Sequence, residues 1–232
     1  MDMKSFFYKT FSKKPVIVFV HGFSVRTARP MRSAIDYFNK HGYMTLVPTL
    51  FDPEDPQDDH PNLWIRRAKT AVETALSIKD DVVVVGFSMG GVIASEIASQ
   101  YPISKLFLLA PAFEYVTFKM VRESLTRMIV KQPESNIKRL PENFYDTFQQ
   151  VVALGKDAVT NITCDTVIFH GLKDELIPTR SSQYVYDHIQ SKHKKFILFE
   201  DVGHDLLENK NHKDDVIQLI HHNIQIKNTI SK

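Results

Sequence analysis

A chain of 232 residues, 43% hydrophobic and 24% charged, is long enough to bury a substantial core without staples. Its 29 basic and 27 acidic residues leave a formal charge of +2, which gives no electrostatic reason to expect nucleic acid or a membrane surface as partner. The single cysteine, Cys164, excludes an intrachain disulfide and a cysteine metal cluster, and nothing requires an oxidising compartment.

Residues 1–14 are mixed polar and aromatic, with room for one strand over 5–11. Val16 to Val20 is apolar on both faces, as an interior parallel strand requires. The run is too short for a secretory h-region, and no stretch approaches the ~18 apolar residues of a membrane span. A cytoplasmic protein without stable membrane insertion is expected. Residues 28–41 read as a helix, with Gly42 where it would stop, and 43–48 as a strand. An acidic, proline-bearing loop covers 52–61. Residues 63–78 have helical spacing, with Leu63, Ala68, Ala71, Val72, Ala75 and Leu76 as the apolar stripe and Trp64 as helix packing. A strand over 81–85, a small-residue helix over 89–101 and a strand over 103–110 follow.

The alternation then stops. Residues 111–161 read as a mostly helical insertion, with candidate helices at 121–130 and 142–154. It resumes with a strand (165–170), a helix (179–190), a strand (194–199) and a helix (213–226). Strands alternating with helices predict an α/β fold, with a mostly parallel sheet covered on both faces. The core comprises 1–110 and 162–232, and the insertion at 111–161 forms a small helical cap.

Chemistry gathers at the strand ends, where open parallel sheets bind ligands. Gly86-Phe87-Ser88-Met89-Gly90 follows four valines and precedes a helix, so Ser88 falls on a sharp strand-to-helix turn that exposes its hydroxyl. A serine hydroxyl needs a base before it attacks a carbonyl. His204, after a strand and Gly203, is the expected base. Asp174, after the 165–170 strand, is the expected acid that orients the ring. Asp165 lies at the wrong end of its strand, Asp201 is too near His204 along the chain, and Glu175 is a neighbouring rival. The oxyanion donors are expected to be the backbone N–H of Met89 and that of Phe23, in the His21-Gly22-Phe23 turn.

These pieces resemble the α/β-hydrolases, and more narrowly the small bacterial carboxylesterases and monoacylglycerol-lipase-like enzymes. The likeness rests on His21-Gly22-Phe23, Gly86-Phe87-Ser88-Met89-Gly90-Gly91, the stretch from His170-Gly171-Leu172-Lys173-Asp174 to Pro178, and Gly203-His204. It implies an α/β-hydrolase fold with Ser88, Asp174 and His204 as the triad, and Phe23 and Met89 as oxyanion donors. It also implies that 111–161 is the variable cap. Because one strand fits before Val16, about seven strands are expected instead of the family's usual eight.

Other features have plainer readings. His21 is expected to hydrogen-bond within the oxyanion loop, and His170 to be a strand-end residue. The acidic loop, followed by His60, reads as solvated; its prolines break any shared face for a metal. Cys164 reads as a small core residue. Phe23, Met89, Phe113, Tyr115, Phe118 and Ile177 are candidates to line an apolar substrate pocket. The expected function is therefore a serine carboxylesterase acting on esters with an apolar acyl or alcohol part, with no metal and no cofactor. Thioesterase, amidase or lactonase chemistry on the same triad, or a non-catalytic binding role, are the alternatives. A homodimer is compatible with the sequence but not indicated by it.

Overall fold

The computed structural model describes residues 12–24, 27–114 and 140–226, together with Ser5, Tyr8 and Thr10. Within these residues the chain forms one parallel sheet of six strands, in the order β2-β1-β3-β4-β5-β6. The strands are β1 (Val16–Val20), β2 (Met44–Leu46), β3 (Val82–Phe87), β4 (Lys105–Leu109), β5 (Asp165–Gly171) and β6 (Lys194–Phe199). The helices are α1 (Arg32–Lys40), α2 (Pro61–Ile78), α3 (Met89–Ala98), α4 (Asn143–Lys156), α5 (Thr179–His188) and α6 (Lys213–Gln225).

Side-chain alternation along the strands builds two cores from one sheet. Val16, Val18, Val20, Val82, Val84, Leu106, Leu108 and Ile168 face α2, α3, α4 and α5. Ile17, Phe19, Val83, Val85, Phe107, Leu109, Val167 and Phe169 face α1 and α6. Both faces being covered explains why β1 and the valines of β3 are continuously apolar and buried. In-register pairs such as Val16 with Val82 and Val20 with Gly86 bring the carboxyl ends of β1 and β3 together. From β1 the chain first moves outward to β2, then crosses back and adds β3 to β6 on the other side. The gap between β1 and β3 is thus the topological switch point, where loops diverge and leave a crevice.

Two expectations need correction. Ser5, Tyr8 and Thr10 are helical, so the strand expected over 5–11 is not formed and six strands stand in place of about seven. Tyr8 packs against the larger core cluster and its hydroxyl donates to the Pro15 carbonyl at 2.7 Å. The stripe of α2 is also rotated from the expected one. Trp64, Ile65, Ala68, Val72, Ala75 and Ile78 are buried, whereas Leu63, Ala71 and Leu76 are only half-buried. The helix expected over 121–130 lies outside the described residues. The one expected over 142–154 is α4, which packs on α2 and α3. Gly155 makes that approach possible, since a Cβ there would run into Val92 of α3.

Candidate active site

Ser88 sits between β3 and α3 with φ 55° and ψ −120°, a backbone conformation that costs a non-glycine residue of order 1–3 kcal/mol. Hydrogen bonds from its neighbours hold it there. Its N–H donates to Leu109 O at 2.9 Å, and its carbonyl accepts from Gly91 N at 2.9 Å and Ala112 N at 3.1 Å. Glycines make the turn possible: a Cβ on Gly86 would lie 2.5 Å from Gly90 O, and one on Gly90 would strike the carbonyl oxygens of Val20 and His21. Gly22 lies directly against the serine, its own Cβ position being 3.1 Å from Ser88 Cβ. Ser88 Oγ makes no hydrogen bond among the described residues, although the residue is 8% exposed.

Asp174 and His204 meet. His204 Nδ1 is 2.8 Å from Asp174 Oδ2. The other carboxylate oxygen, Oδ1, accepts the amides of Leu176 and Ile177, each at 2.9 Å. Burial pushes the Asp174 pKa up, but the His204 ring, the Ile177 amide and His170 outweigh it and hold the carboxyl below its ordinary value. An ionised carboxylate only accepts, so His204 Nδ1 carries the hydrogen of this bond and Nε2 is the ring nitrogen left for proton transfer. The two loops are tied by the amide of Lys173 donating to Val202 O at 2.9 Å. The His204 ring lies over Phe87, centroids 4.9 Å apart, which sets it beside the residue preceding Ser88.

The amides of Phe23 and Met89 donate to no acceptor among the described residues. Met89 is the first residue of α3, where free N–H groups and the helix dipole favour negative charge. The Phe23 ring is fixed by aromatic neighbours: Phe148 stacked at 5.2 Å, Tyr145 edge-on at 5.2 Å and Phe51 at 5.9 Å. Tyr145 and Phe148 belong to α4 and were not anticipated as neighbours of this loop. Their only sequence signal was an amphipathic helix, which does not say what it covers. His21 is fully buried, with Nδ1 bonded to Gly22 O at 2.8 Å and Nε2 accepting Leu50 N–H at 3.1 Å.

Among the expected pocket residues, Phe23, Met89, Phe113 and Ile177 are all buried. Phe113 packs toward Tyr184 of α5, ring centroids 6.1 Å apart. Tyr115 and Phe118 lie outside the described residues. The acidic loop is not solvated throughout, because Asp58 is buried: its Oδ2 accepts from Arg67 at 2.6 Å and from Asp52 N at 2.8 Å. Asp59 is drawn in as well, accepting from Asn143 Nδ2 at 2.8 Å and, at its carbonyl, from Thr147 Oγ1 at 2.6 Å. Among the described residues no cluster of three or more His, Cys, Asp or Glu could hold a metal, and no helix is long and apolar enough to cross a membrane.

A parallel α/β sheet with a strained serine turn at its switch point defines a broad class of proteins. The chain belongs to the alpha/beta hydrolase family, whose model matches residues 17–219. A carboxylesterase of Bacillus subtilis (strain 168) is 23% identical over 206 residues, covering 81% of this chain and 83% of the relative. A solved structure reported with the metagenome-derived lipolytic enzymes LipS and LipT superposes with a TM-score of 0.75 at 16% identity, covering 91% of this chain and 94% of that one. A soluble variant of Saccharomyces cerevisiae monoglyceride lipase, in complex with a substrate analog, gives 0.76 at 14% identity, covering 91% and 86%. At these identities the structural likeness is one of fold.

Proposed function

We propose that the protein is a serine carboxylesterase that uses Ser88 as nucleophile, His204 as general base and acid, and Asp174 as the orienting carboxylate. The observation that carries this reading is the 2.8 Å bond from His204 Nδ1 to a buried, ionised Asp174, beside a serine turn whose hydroxyl makes no hydrogen bond among the described residues. In this reading Ser88 Oγ attacks the ester carbonyl carbon while His204 Nε2 takes its proton. The carbonyl oxygen becomes an oxyanion held by the Phe23 and Met89 amides, which donate to no other acceptor among the described residues. The tetrahedral intermediate collapses, the C–O bond to the alcohol breaks, and His204 returns the proton to the alcohol oxygen. Water, deprotonated by the same nitrogen, then attacks the acyl-enzyme. The acid leaves and Ser88 Oγ regains its proton.

The apolar surroundings of Phe23 and Phe113 and the likeness to a bacterial carboxylesterase support an ester with an apolar acyl or alcohol part as substrate. Thioesters, amides and lactones pass through a similar acyl-enzyme, so a substrate panel separates these readings. The test is hydrolysis of p-nitrophenyl esters of graded chain length, with fluorophosphonate labelling of the intact protein. Wild type is expected to label and turn over, and Ser88→Ala to do neither. Equal activity in both, or a folded wild type inert to every ester and to the probe, would sink the proposal.

A further inference from the structure

His170 is a buried titratable side chain beside the Asp174 loop to which the mechanism assigns nothing. It is the penultimate residue of β5, is fully buried, and has both ring nitrogens engaged. Nε2 lies 2.9 Å from the carbonyl of Ile177 and Nδ1 lies 2.7 Å from Ser182 Oγ, in the first turn of α5. A carbonyl only accepts, so Nε2 carries the hydrogen and Nδ1 accepts the serine hydroxyl. The same Nε2 is 3.6 Å from Asp174 Oδ2, the oxygen that His204 uses. That distance is too long for a hydrogen bond. It still places the positive end of an N–H dipole against the carboxylate.

We propose that His170 is a positioning residue: it fastens the 172–178 loop to β5 and α5, and so holds Asp174 Oδ2 on the His204 ring. Asp174 approaches His204 only from that loop, and its Oδ1 is bound to amides of the loop itself, at Leu176 and Ile177. The carboxylate is thus rigid with respect to the loop, and the loop needs an anchor to the sheet. His170 supplies one at Ile177, the residue whose amide also binds Asp174. Ser182 orients the ring from the other side. The titratable groups facing His170 are Asp174 and His204, while α5 faces it with a neutral hydroxyl. Burial pushes the His170 pKa down, against the pull of Asp174 and the Ile177 carbonyl, in keeping with a neutral ring.

This inference rests on the esterase reading, and its test separates the two. His170→Asn retains a polar group near the Nδ1 position but lacks the Nε2 donor; His170→Gln retains a donor near Nε2. With p-nitrophenyl butyrate, His170→Asn is expected to lower kcat by about 10- to 100-fold, the scale of a misplaced catalytic group, with KM unchanged. The acid limb of kcat/KM should move to lower pH, because a displaced Asp174 stabilises the His204 imidazolium less. His170→Gln should restore both. Should the Asn variant not fold, Ser182→Ala frees the ring and is expected to shift kcat and the acid limb in the same directions. A folded His170→Asn or Ser182→Ala with wild-type kcat and acid limb, while Ser88→Ala is inert, overturns this inference alone. Wild-type turnover in Ser88→Ala overturns it together with the esterase reading.

Discussion

The buried ring of His21 accepts the amide of Leu50 through Nε2 at 3.1 Å and bonds Gly22 O through Nδ1 at 2.8 Å. This single side chain links the turn after β1 to the segment after β2. The Phe51 ring meets it edge-on at 5.4 Å. No space is left for a second proton on the ring without breaking the bond to Leu50.

Stability should therefore fall in mild acid. Burial lowers the His21 pKa to about 4 from 6.5, with its bond to the Gly22 carbonyl opposing. The unfolded chain takes up a proton at higher pH than the folded one. The stabilisation is intact above pH 6.5, declines as pH falls, and stops declining near the folded value. The loss from this group is of order 3 kcal/mol. His170, shifted the same way, adds to it. Asp174 acts only lower, as pH drops below its unfolded value of 3.8 and through its depressed folded pKa. Urea unfolding at a series of pH values from 7 to 4 reads this directly; a flat profile across that range contradicts it.

The strain at Ser88 is measurable as stability. Alanine keeps the φ 55° penalty, whereas glycine relieves it at the cost of greater freedom in the unfolded chain. Ser88→Gly should be more stable than Ser88→Ala by about 1 kcal/mol, with both losing roughly 10⁴-fold or more in turnover. Equal denaturation midpoints for the two variants would mean that the strain is no larger than the entropy glycine adds to the unfolded chain.

Gly90 and Gly203 should respond differently to the same added methyl. A Cβ on Gly90 meets the backbone oxygens of Val20 and His21, which cannot move without parting α3 from β1. On Gly203 the nearest atom is Asp205 Oδ1 at 3.4 Å, an ordinary contact. Thermal unfolding should show Gly90→Ala destabilised by about 3 kcal/mol and Gly203→Ala by less than about 1 kcal/mol. A Gly90→Ala protein as stable as Gly203→Ala would argue against the close crossing.

Arg67 neutralises the buried Asp58 at 2.6 Å and also donates to Leu50 O at 2.7 Å. Arg67→Ala would leave the carboxylate buried without its cation. The expected cost is about 3 kcal/mol, at the lower end for broken buried pairs because the Arg67 side chain is 34% exposed. Chemical denaturation of Arg67→Ala and of Asp58→Asn/Arg67→Ala tests it, and the double variant should recover part of the loss. No recovery would mean that the Arg67 contact with Leu50 O, not the charge pair, sets the cost.

Much of this architecture was legible because parallel strands covered on both faces are continuously apolar. β1, β3, β4 and β5 were readable as such runs, β6 only as the short apolar stretch after two lysines at the sheet edge, and β2, three residues long, as the end of a helix-turn-strand unit. Residues 5–11 misled because aromatic residues suit a strand and a helix alike over so short a stretch. The rotated stripe of α2 shows the same limit: Leu63 and Leu76 are apolar, but Trp64 faces the core, where Phe51 and Phe144 meet it, and Ile65 is buried beside it.

By itself the sequence determined which residues stand at the carboxyl ends of the strands. Residue type and local periodicity decide strand, turn and helix, and the order Ser88, Asp174, His204 followed from them. Only the tertiary structure decided who meets whom there. Asp174 divides its two oxygens between its own loop and His204, and His170 reaches the same loop from β5. Phe23 is walled by Tyr145 and Phe148. Such contacts join segments far apart in the chain. A local pattern specifies the face a side chain presents, whereas its partner is chosen by the packing of whole elements around the sheet.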